Sequence, residues 1–248
     1  MTSVREAFDR HAAVYDRIFS STEIRSEVWE IADRLFLPGM DMLDLGCGTG
    51  DDAIHFAQRG VNVTAIDISP KMMSQLERKA SDTVRFCTAD MRAYCPTSGL
   101  DGAFSNFSAL NCVPELDWIL RLPLVPGSHL VLTMMGRLYP LECAVSLLKG
   151  RPAIAFRRLW RSGEAVVEGV RFNVYYHGLR SMKKALGLRF DLISVKGLRS
   201  LMPAPHLEHL RKYSAIRRLE PFDRWLCSHR ATAVCSDHFV TVWRCRET

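Results

Sequence analysis

The stretch Met42-Leu-Asp-Leu-Gly-Cys-Gly-Thr-Gly50 decides the fold of this chain. Its apolar start predicts the end of a buried strand, and its three glycines predict a tight turn. The residues that follow, Asp52-Ala-Ile-His-Phe-Ala-Gln-Arg59, have helical spacing and stop at Gly60, a residue type that commonly ends helices. A strand, a glycine turn and a helix in this order predict a nucleotide-sized crevice at the carboxyl end of a parallel sheet.

The spacing of the glycines indicates which ligand the crevice holds. A dinucleotide site uses G-x-G-x-x-G, whereas Gly46, Gly48 and Gly50 form G-x-G-x-G, and Asp44 lies two residues before the first of them. This pattern resembles motif I of class I S-adenosylmethionine (SAM) methyltransferases. The resemblance implies SAM as the cofactor, with Asp44, Gly46, Cys47 and Gly48 around its amino-acid end.

A second acid follows the next predicted strand, Val61-Asn-Val-Thr-Ala-Ile-Asp67. A carboxylate at this place of a nucleotide-binding unit accepts hydrogen bonds from the ribose hydroxyls. The alternative role of Asp67, capping the following helix, is one that Ser69 can fill instead. By the same resemblance, Ile68 and Met72 contact the adenine face.

A third acid, Asp90, ends the predicted third strand, 84–90. The resemblance implies that Asp90 binds the adenine amino group and that the backbone of Met91 meets the ring. The fourth strand, Leu100–Phe107, matches motif IV of the family, which puts Asn106 and Phe107 beside the cofactor. Many relatives carry histidine where this chain has Asn111, so Asn111 is a candidate catalytic residue. The Asn-Pro-Pro-Tyr run that relatives use on adenine or glutamine amide nitrogens is absent, which argues against those acceptors.

Residues 1–37 are expected to form cap helices over the cofactor. Val4, Phe8, Ala12 and Tyr15 recur at helical spacing. The segment resembles the entry helix of methyltransferases of quinone and biotin-precursor biosynthesis, and that likeness implies that Tyr15 faces SAM. Simple packing of Tyr15 on the sheet is the alternative.

A second covering element is expected after the fifth strand, where residues 136–190 exceed the single helix that the fold needs. We expect this stretch to be a lid. Within it, residues 166–177 alternate, which predicts one strand with an apolar and a polar face. The apolar face holds Val166, Val170, Phe172, Val174 and Tyr176, and the polar face holds Arg171, Asn173, Tyr175 and His177.

The lid strand supplies the other candidate catalytic residues. His177 is suited to accept a proton near neutral pH. Tyr175, or Tyr176 if the register shifts by one residue, is suited to orient a hydroxyl group or to lie beside the sulfonium, whose charge attracts an aromatic face. A solvent-facing polar side is the alternative.

Composition and charge limit the remaining possibilities. The chain has 248 residues, of which 48% are hydrophobic, and its eight cysteines include no C-x-x-C pair. We expect reduced thiols, no structural metal and no membrane span, and Met1–Glu6 lacks the apolar core of a signal peptide. Residues 1–100 carry a net charge of −4 and residues 101–248 carry +10. The basic half suits an anionic acceptor, a nucleic acid or a membrane surface, or it only keeps the protein in solution.

These observations predict an α/β protein with a Rossmann-like class I methyltransferase fold. We expect a seven-stranded, mostly parallel sheet, helices on both faces and the lid insertion, all within one cytoplasmic domain, 1–248. The expected reaction is methyl transfer from SAM to a small molecule, with no specific nucleic acid as partner. Three alternatives stay open: RNA or protein methylation; aminocarboxypropyl transfer or cyclisation that uses the same sulfonium; and cofactor binding without catalysis.

Overall fold

A computed structural model describes residues 2–19, 23–80 and 84–247, and its centre is one mixed sheet. In this described part the sheet has seven strands in the order β3-β2-β1-β4-β5-β9-β8. β9 is antiparallel to both of its neighbours, whereas β1 to β5 pair in parallel. The strands of this sheet are β1 (Asp41–Leu45), β2 (Asn62–Asp67), β3 (Val84–Thr88), β4 (Leu100–Ser105), β5 (Leu124–Met135), β8 (Phe190–Leu198) and β9 (His238–Cys245).

Helices precede the sheet, connect its strands and cover both of its faces. The described α-helices are α1 (Thr2–His11), α2 (Tyr15–Phe19), α3 (Glu23–Ala32), α4 (Asp51–Gln58), α5 (Pro70–Lys79), α6 (Pro140–Leu148), α7 (Pro152–Ala155), α8 (Leu179–Leu186), α9 (Ser214–Arg218) and α10 (Glu220–Ser228). The predicted cap, 1–37, corresponds to α1, α2 and α3, except that residues 1 and 20–22 lie outside the described ones. Before the last strand, a 3-10 segment (Pro205–Lys212) is followed by α9 and α10.

Hydrophobic cores fill the space on both faces of the sheet, because parallel strands are covered on both sides. Neighbouring residues of one strand enter opposite cores: Met42 packs with Phe56 and Phe104, while Leu43 packs with Leu130 and other residues of the second core. This two-sided burial explains why nearly every residue of the central strands β1 and β4 is buried. It also leaves the carboxyl ends of the strands as the open edge of the sheet.

The segment between β5 and β8 contains a hairpin where the sequence pattern predicted one strand. β6 (Ser162–Val167) and β7 (Val170–Tyr175) pair antiparallel, joined by Glu168 and Gly169 at φ 48° and 76°. Positive φ at both central residues is typical of the tight turn that matches the twist of a hairpin.

This turn corrects the predicted faces of the strand. Val166 was expected on the apolar face, but it pairs with Arg171 and is 60% exposed, because the turn reverses the chain between them. Val170, Phe172, Val174 and Tyr176 are buried as predicted and pack against α1. In the described residues, the structure contains no helix long and apolar enough to cross a bilayer.

Candidate active site

The glycine turn after β1 forms the floor of a cavity at the strand ends. Gly46, Gly48 and Gly50 have φ of 72°, 56° and 85°, a region that residues with a side chain rarely adopt. The amides of Gly46 and Cys47 both donate to the carbonyl of Ile66, at 2.8 and 3.0 Å. A Cβ on Gly46 would lie 2.5 Å from that of Ala109. The turn therefore brings bare backbone to the cavity at a point where a side chain does not fit.

Asp67, at the end of β2, links the glycine turn to the start of α5. One carboxylate oxygen accepts from the amide of Gly48 at 3.0 Å, and the other accepts from the amide of Ser69 at 2.8 Å. Ser69 itself caps α5 by accepting from the amide of Met72. Burial raises the pKa of Asp67, and the backbone hydrogen bonds partly oppose that shift. A carboxylate has about four acceptor sites, so Asp67 retains capacity for hydroxyl donors in the cavity.

The loop after β4 forms a second side of the cavity with a strained backbone. Phe107 and Ser108 are consecutive residues with side chains at φ 45° and 62°, and such outliers cluster at functional sites. Asn106 holds the loop from both sides, since its Oδ1 accepts from the amide of Phe107 at 2.8 Å and its Nδ2 lies 3.3 Å from an oxygen of Asp52. The geometry presents Ser108 and Ala109 to the cavity.

An ion pair that the sequence patterns did not indicate supports this loop from α3. Arg25 is buried, contacts Asp52 at 2.9 Å and lies 4.6 Å from the centre of the Phe107 ring. Trp29 also donates to Asp52, at 2.8 Å. The only hint in the sequence is that Arg25 interrupts the apolar side of a predicted helix.

A cover, which consists of α1, α2 and the β6–β7 hairpin, lies on one side of the cavity: α1 and α2 line it, and the hairpin packs against α1. Phe8 of α1 contacts Phe172 of the hairpin, with ring centroids 5.9 Å apart. Tyr15 of α2 lies over Gly48: a Cβ there would be 3.6 Å from the tyrosine ring. At the hairpin turn, Arg10 donates to the Glu168 carbonyl, and His11 lies 3.0 Å from the Glu168 carboxylate.

The resulting cavity is narrow, about 70 Å³ in volume, and it opens to solvent at its mouth. Nine of the predicted cofactor residues line its wall: Tyr15, Gly46, Gly48, Asp67, Ile68, Met72, Met91, Asn106 and Phe107. Five further lining residues were not predicted: Val4, Phe8, Ser108, Ala109 and Cys112. Val4 and Phe8 belong to the recognised helical pattern, but which side of α1 meets the cavity depends on the hairpin that packs against it.

Three predicted cofactor residues lie outside the wall. The Cys47 thiol points into the core, 3.7 Å from the sulfur of Met73, because its backbone alone belongs to the turn. Asp90 forms a two-pronged ion pair with Arg92, at 3.0 and 2.6 Å, and the arginine lowers the pKa of Asp90. Asp44 is buried beneath the turn.

The four predicted catalytic residues also lie outside this wall. Asn111 binds backbone on two sides, donating to the Tyr175 carbonyl at 2.5 Å and accepting from the Met135 amide at 3.0 Å. His177 is buried with Nε2 2.9 Å from the Val113 carbonyl, and burial lowers its pKa. Tyr176 packs in the cluster between α1 and the hairpin. These contacts attach the end of the hairpin to the loop after β4, and the catalytic roles stay predictions.

The polar face predicted for the lid strand is largely exposed. Arg171 and Asn173 both face solvent, and Arg171 lies 3.7 Å from the equally exposed Glu164. Tyr175 is half-buried. The burial pattern thus favours the solvent-facing alternative for the first two residues of this face.

Two buried polar atoms, one in the wall and one beneath the glycine turn, lack a hydrogen-bond partner among the described residues. They are Ser108 Oγ and Asp44 Oδ2, respectively. Burial, and after it the neighbouring Asp52, raises the pKa of Asp44 well above its usual value. Unpaired buried carboxylates are costly, and a nearby positive charge would offset that cost. The described wall contains no lysine or arginine.

Comparison with known proteins agrees with this geometry. Residues 42–121 match the family model described as a methyltransferase domain. The malonyl-[acyl-carrier protein] O-methyltransferase of Pectobacterium atrosepticum is 33% identical over 136 residues, which make up 54% of this chain and 50% of that enzyme. The chain thus spans about half the length of the curated relatives that it matches.

Solved structures match over most of the chain. A SAM-dependent methyltransferase from Mesorhizobium loti is 18% identical, with a TM-score of 0.58, covering 89% of this chain and 99% of that one. The 1,6-didemethyltoxoflavin-N1-methyltransferase of Burkholderia thailandensis, solved with bound 1,6-didemethyltoxoflavin and S-adenosylhomocysteine, is 15% identical, with a TM-score of 0.60 and coverage of 99% of this chain and 88% of that one.

The fold is that of class I SAM-dependent methyltransferases, and residues 42–121 carry a methyltransferase domain. The predicted Rossmann-like fold, a seven-stranded and mostly parallel sheet with helices on both faces, is confirmed, and SAM is the cofactor of the methyltransferases that share this fold.

Proposed function

We propose that this chain binds SAM in the covered cavity and transfers its methyl group to a small-molecule acceptor. The observation that carries the proposal is the meeting of the glycine turn, Asp67 and the strained Phe107–Ser108 loop around one cavity at the strand ends. Bare backbone at Gly46 and Gly48 leaves room for a ligand, and Asp67 supplies acceptors for two hydroxyls.

The residues of the wall divide the work of binding SAM. We assign the ribose hydroxyls to Asp67 and the adenine to the apolar side chains of Ile68, Met72 and Met91. The amino-acid end belongs at the glycine turn, above the buried Asp44 and below Tyr15. Asp67 is the acidic side chain of the described wall, which contains no lysine or arginine, and a carboxylate there favours a ligand that carries a positive sulfonium and an ammonium group.

SAM supplies an activated methyl group on a sulfonium, so the chain has mainly to position the acceptor and exclude water. The cover suits this task, because Val4 and Phe8 of α1 and Tyr15 of α2 line the cavity while the hairpin packs against α1. Proximity and alignment are worth large factors in rate without a proton transfer. The thiol of Cys112 in the wall is protonated at neutral pH, since burial raises its pKa to about 12. We therefore assign no general base within the wall.

The nature of the acceptor is narrowed by the cover and by the charges. A cover over the cavity obstructs a macromolecular substrate, which favours a small acceptor over RNA or protein. The anionic acceptor suggested by the basic half gains no support from the wall, which lacks lysine and arginine among its described residues. The B. thailandensis enzyme, of the same fold, was solved with a small heterocycle bound.

The test combines calorimetry with product analysis. We expect both SAM and S-adenosylhomocysteine to bind in calorimetry, and incubation with SAM and pooled metabolite extracts to release S-adenosylhomocysteine. Mass spectrometry separates the alternatives, because methylthioadenosine as the product would indicate aminocarboxypropyl transfer or cyclisation. Failure of both nucleosides to bind the folded protein would refute the assignment of the cavity.

A further inference from the structure

Residues 147–161, the outer segment, present large apolar side chains to solvent. Leu148 is 89% and Trp160 is 73% exposed. The other exposed apolar side chains of this segment are Leu147, Ile154, Phe156 and Leu159. Single exposed apolar residues are ordinary, but six within fifteen residues on one projection of the fold are characteristic of an interaction surface.

The outer segment is held in this orientation by a buried charge network. Arg158, the one charged side chain of the segment that is buried, contacts Glu142 at 3.0 Å and both the carboxylate and the carbonyl of Asp237, at 2.9 and 3.0 Å. It also lies 5.4 Å from the Tyr139 ring. An arginine therefore occupies the interior position while leucines and a tryptophan face outward. This inversion fixes the apolar surface as a feature of the fold, because moving Arg158 would remove an ion pair from each of two buried carboxylates.

The charges of the outer segment have one sign. It contains Lys149 and four arginines and no acidic residue. Arg158 is buried and Arg157 is paired with Glu142 at 2.7 Å. Lys149, Arg151 and Arg161 are exposed, and none of the ion pairs between described residues includes them. Three available cations thus flank the exposed apolar side chains.

A second exposed aromatic surface on the same protein differs in charge. Phe222 and Trp225 of α10 stack with centroids 5.6 Å apart, and each is 52% exposed. Glu220 and Asp223 lie on the same helix, and Glu220 pairs with Arg224 at 2.6 Å. Exposed aromatic rings occur on both surfaces. Only the outer segment combines them with positive side chains that form no ion pair between described residues.

We propose that the outer segment is a docking surface for an anionic lipid membrane. Apolar and aromatic side chains enter the boundary between headgroups and acyl chains, and neighbouring cations bind the negative headgroups. Three cations and a short apolar surface give reversible binding to the membrane surface, without insertion. The proposal rests on the exposure and charge of the outer segment, so it stands apart from the assignment of the cavity.

The experiment is flotation of the full chain with phosphatidylcholine vesicles prepared with and without phosphatidylglycerol. We expect binding to the anionic vesicles that is at least about tenfold stronger than to the neutral ones and that weakens as salt is raised. The double variant Leu148→Glu/Trp160→Glu should lose at least about tenfold of this binding, because two apolar contacts are replaced by negative charges. Trp225→Glu is the matched control and should bind as the unmodified protein does.

Three outcomes would overturn the proposal. They are absence of binding by the unmodified protein, equal binding to neutral vesicles, and equal loss in the Trp225→Glu control. Sedimentation of the free protein tests the alternative that a second copy of the chain covers this surface. That alternative holds if the unmodified protein is a dimer that does not bind vesicles and the double variant is a monomer. Circular dichroism of each variant establishes that it is folded.

Discussion

The floor and the cover of the cavity are built by different forces. The glycine turn of the floor, like the loop after β4 beside it, holds unusual backbone angles through backbone hydrogen bonds and buried carboxylates. In the cover, α1 and the hairpin meet through apolar side chains, with partly exposed polar contacts only at the turn. A tightly packed turn does not accommodate an added side-chain atom. An apolar interface loses stability in proportion to the buried apolar area that a substitution removes. Floor variants should therefore affect ligand binding, and cover variants should mainly affect stability.

The largest effect is expected in the cover. Phe172 of the hairpin is buried and packs against Phe8 of α1. Phe172→Ala should therefore lower the free energy of unfolding by about 3–4 kcal/mol. Its exposed neighbour Asn173 is the matched control, and Asn173→Ala should change that free energy by less than about 0.5 kcal/mol. Urea unfolding measures both. Equal values for the two variants would mean that the hairpin does not pack on α1 as described.

The glycine turn offers the sharpest test of the floor. Gly46→Ala combines a left-handed backbone with a contact to Ala109, and it should cost about 2–3 kcal/mol of stability and remove detectable cofactor binding. Gly150→Ala is the control, because Gly150 has φ 67° but nothing within 4 Å of an added Cβ. It should cost about 1 kcal/mol and leave binding unchanged. If both variants bind S-adenosylhomocysteine equally in calorimetry, the turn does not form the ligand site.

Asp67 should contribute to affinity more than to folding. Loss of hydrogen bonds to a charged acceptor costs about 1.5–3 kcal/mol, so Asp67→Ala should weaken S-adenosylhomocysteine binding roughly 10- to 150-fold. Asp67 also holds the Ser69 loop, and Asp9 supports the same loop from α1 by accepting from the Ser69 hydroxyl at 2.7 Å. Asp9→Ala therefore controls for the loss of loop support and should weaken binding by no more than about threefold. An unchanged affinity in folded Asp67→Ala would remove the ribose assignment.

The smallest effect concerns the buried acid beneath the turn and depends on pH. Burial raises the pKa of Asp44, so the folded protein retains this proton to higher pH than the unfolded chain does. The stability that protonated Asp44 contributes is fully present below the pKa that this group has in the unfolded chain. It is lost as pH rises through the pKa that the group has in the folded protein. Asp44→Asn should therefore raise the free energy of unfolding of the ligand-free protein at pH 7 by about 1 kcal/mol.

Measuring the free energy of unfolding at several pH values tests whether the effect of Asp44→Asn comes from the carboxylate charge. The difference between Asp44→Asn and the unmodified protein should shrink as pH falls toward about 4, while SAM affinity at pH 7 should decrease. A difference in stability that does not vary with pH would show that the carboxylate is not destabilised by burial.

The sequence predicts the parts of the site whose geometry depends on local residue type and not the parts whose geometry depends on distant contacts. Gly46, Gly48 and Asp67 were predicted because glycine at positive φ and an acid at a strand end are local requirements that leave a local pattern. The positive φ of Phe107 and Ser108 leaves no such pattern, since it is imposed by surrounding contacts such as those of Asn106 and Arg25. Phe107 was placed beside the cofactor only by the family resemblance, and Ser108 was not predicted. Sequence spacing predicts backbone geometry where only one residue type permits it.

The sequence alone determined the strands, the glycine turn and the acids at the strand ends, because hydrophobic periodicity and glycine stereochemistry act over a few residues. Tertiary structure alone decided the cover and the roles of polar residues near it. Alternation over residues 166–177 could not reveal the turn at Glu168 and Gly169 that exposes Val166. Asn111 and His177 have side chains suited to catalysis, and their hydrogen bonds to backbone atoms of Tyr175, Met135 and Val113 could not be read from the sequence. Which partner a polar side chain finds depends on the packing of the whole chain, and no local pattern records it.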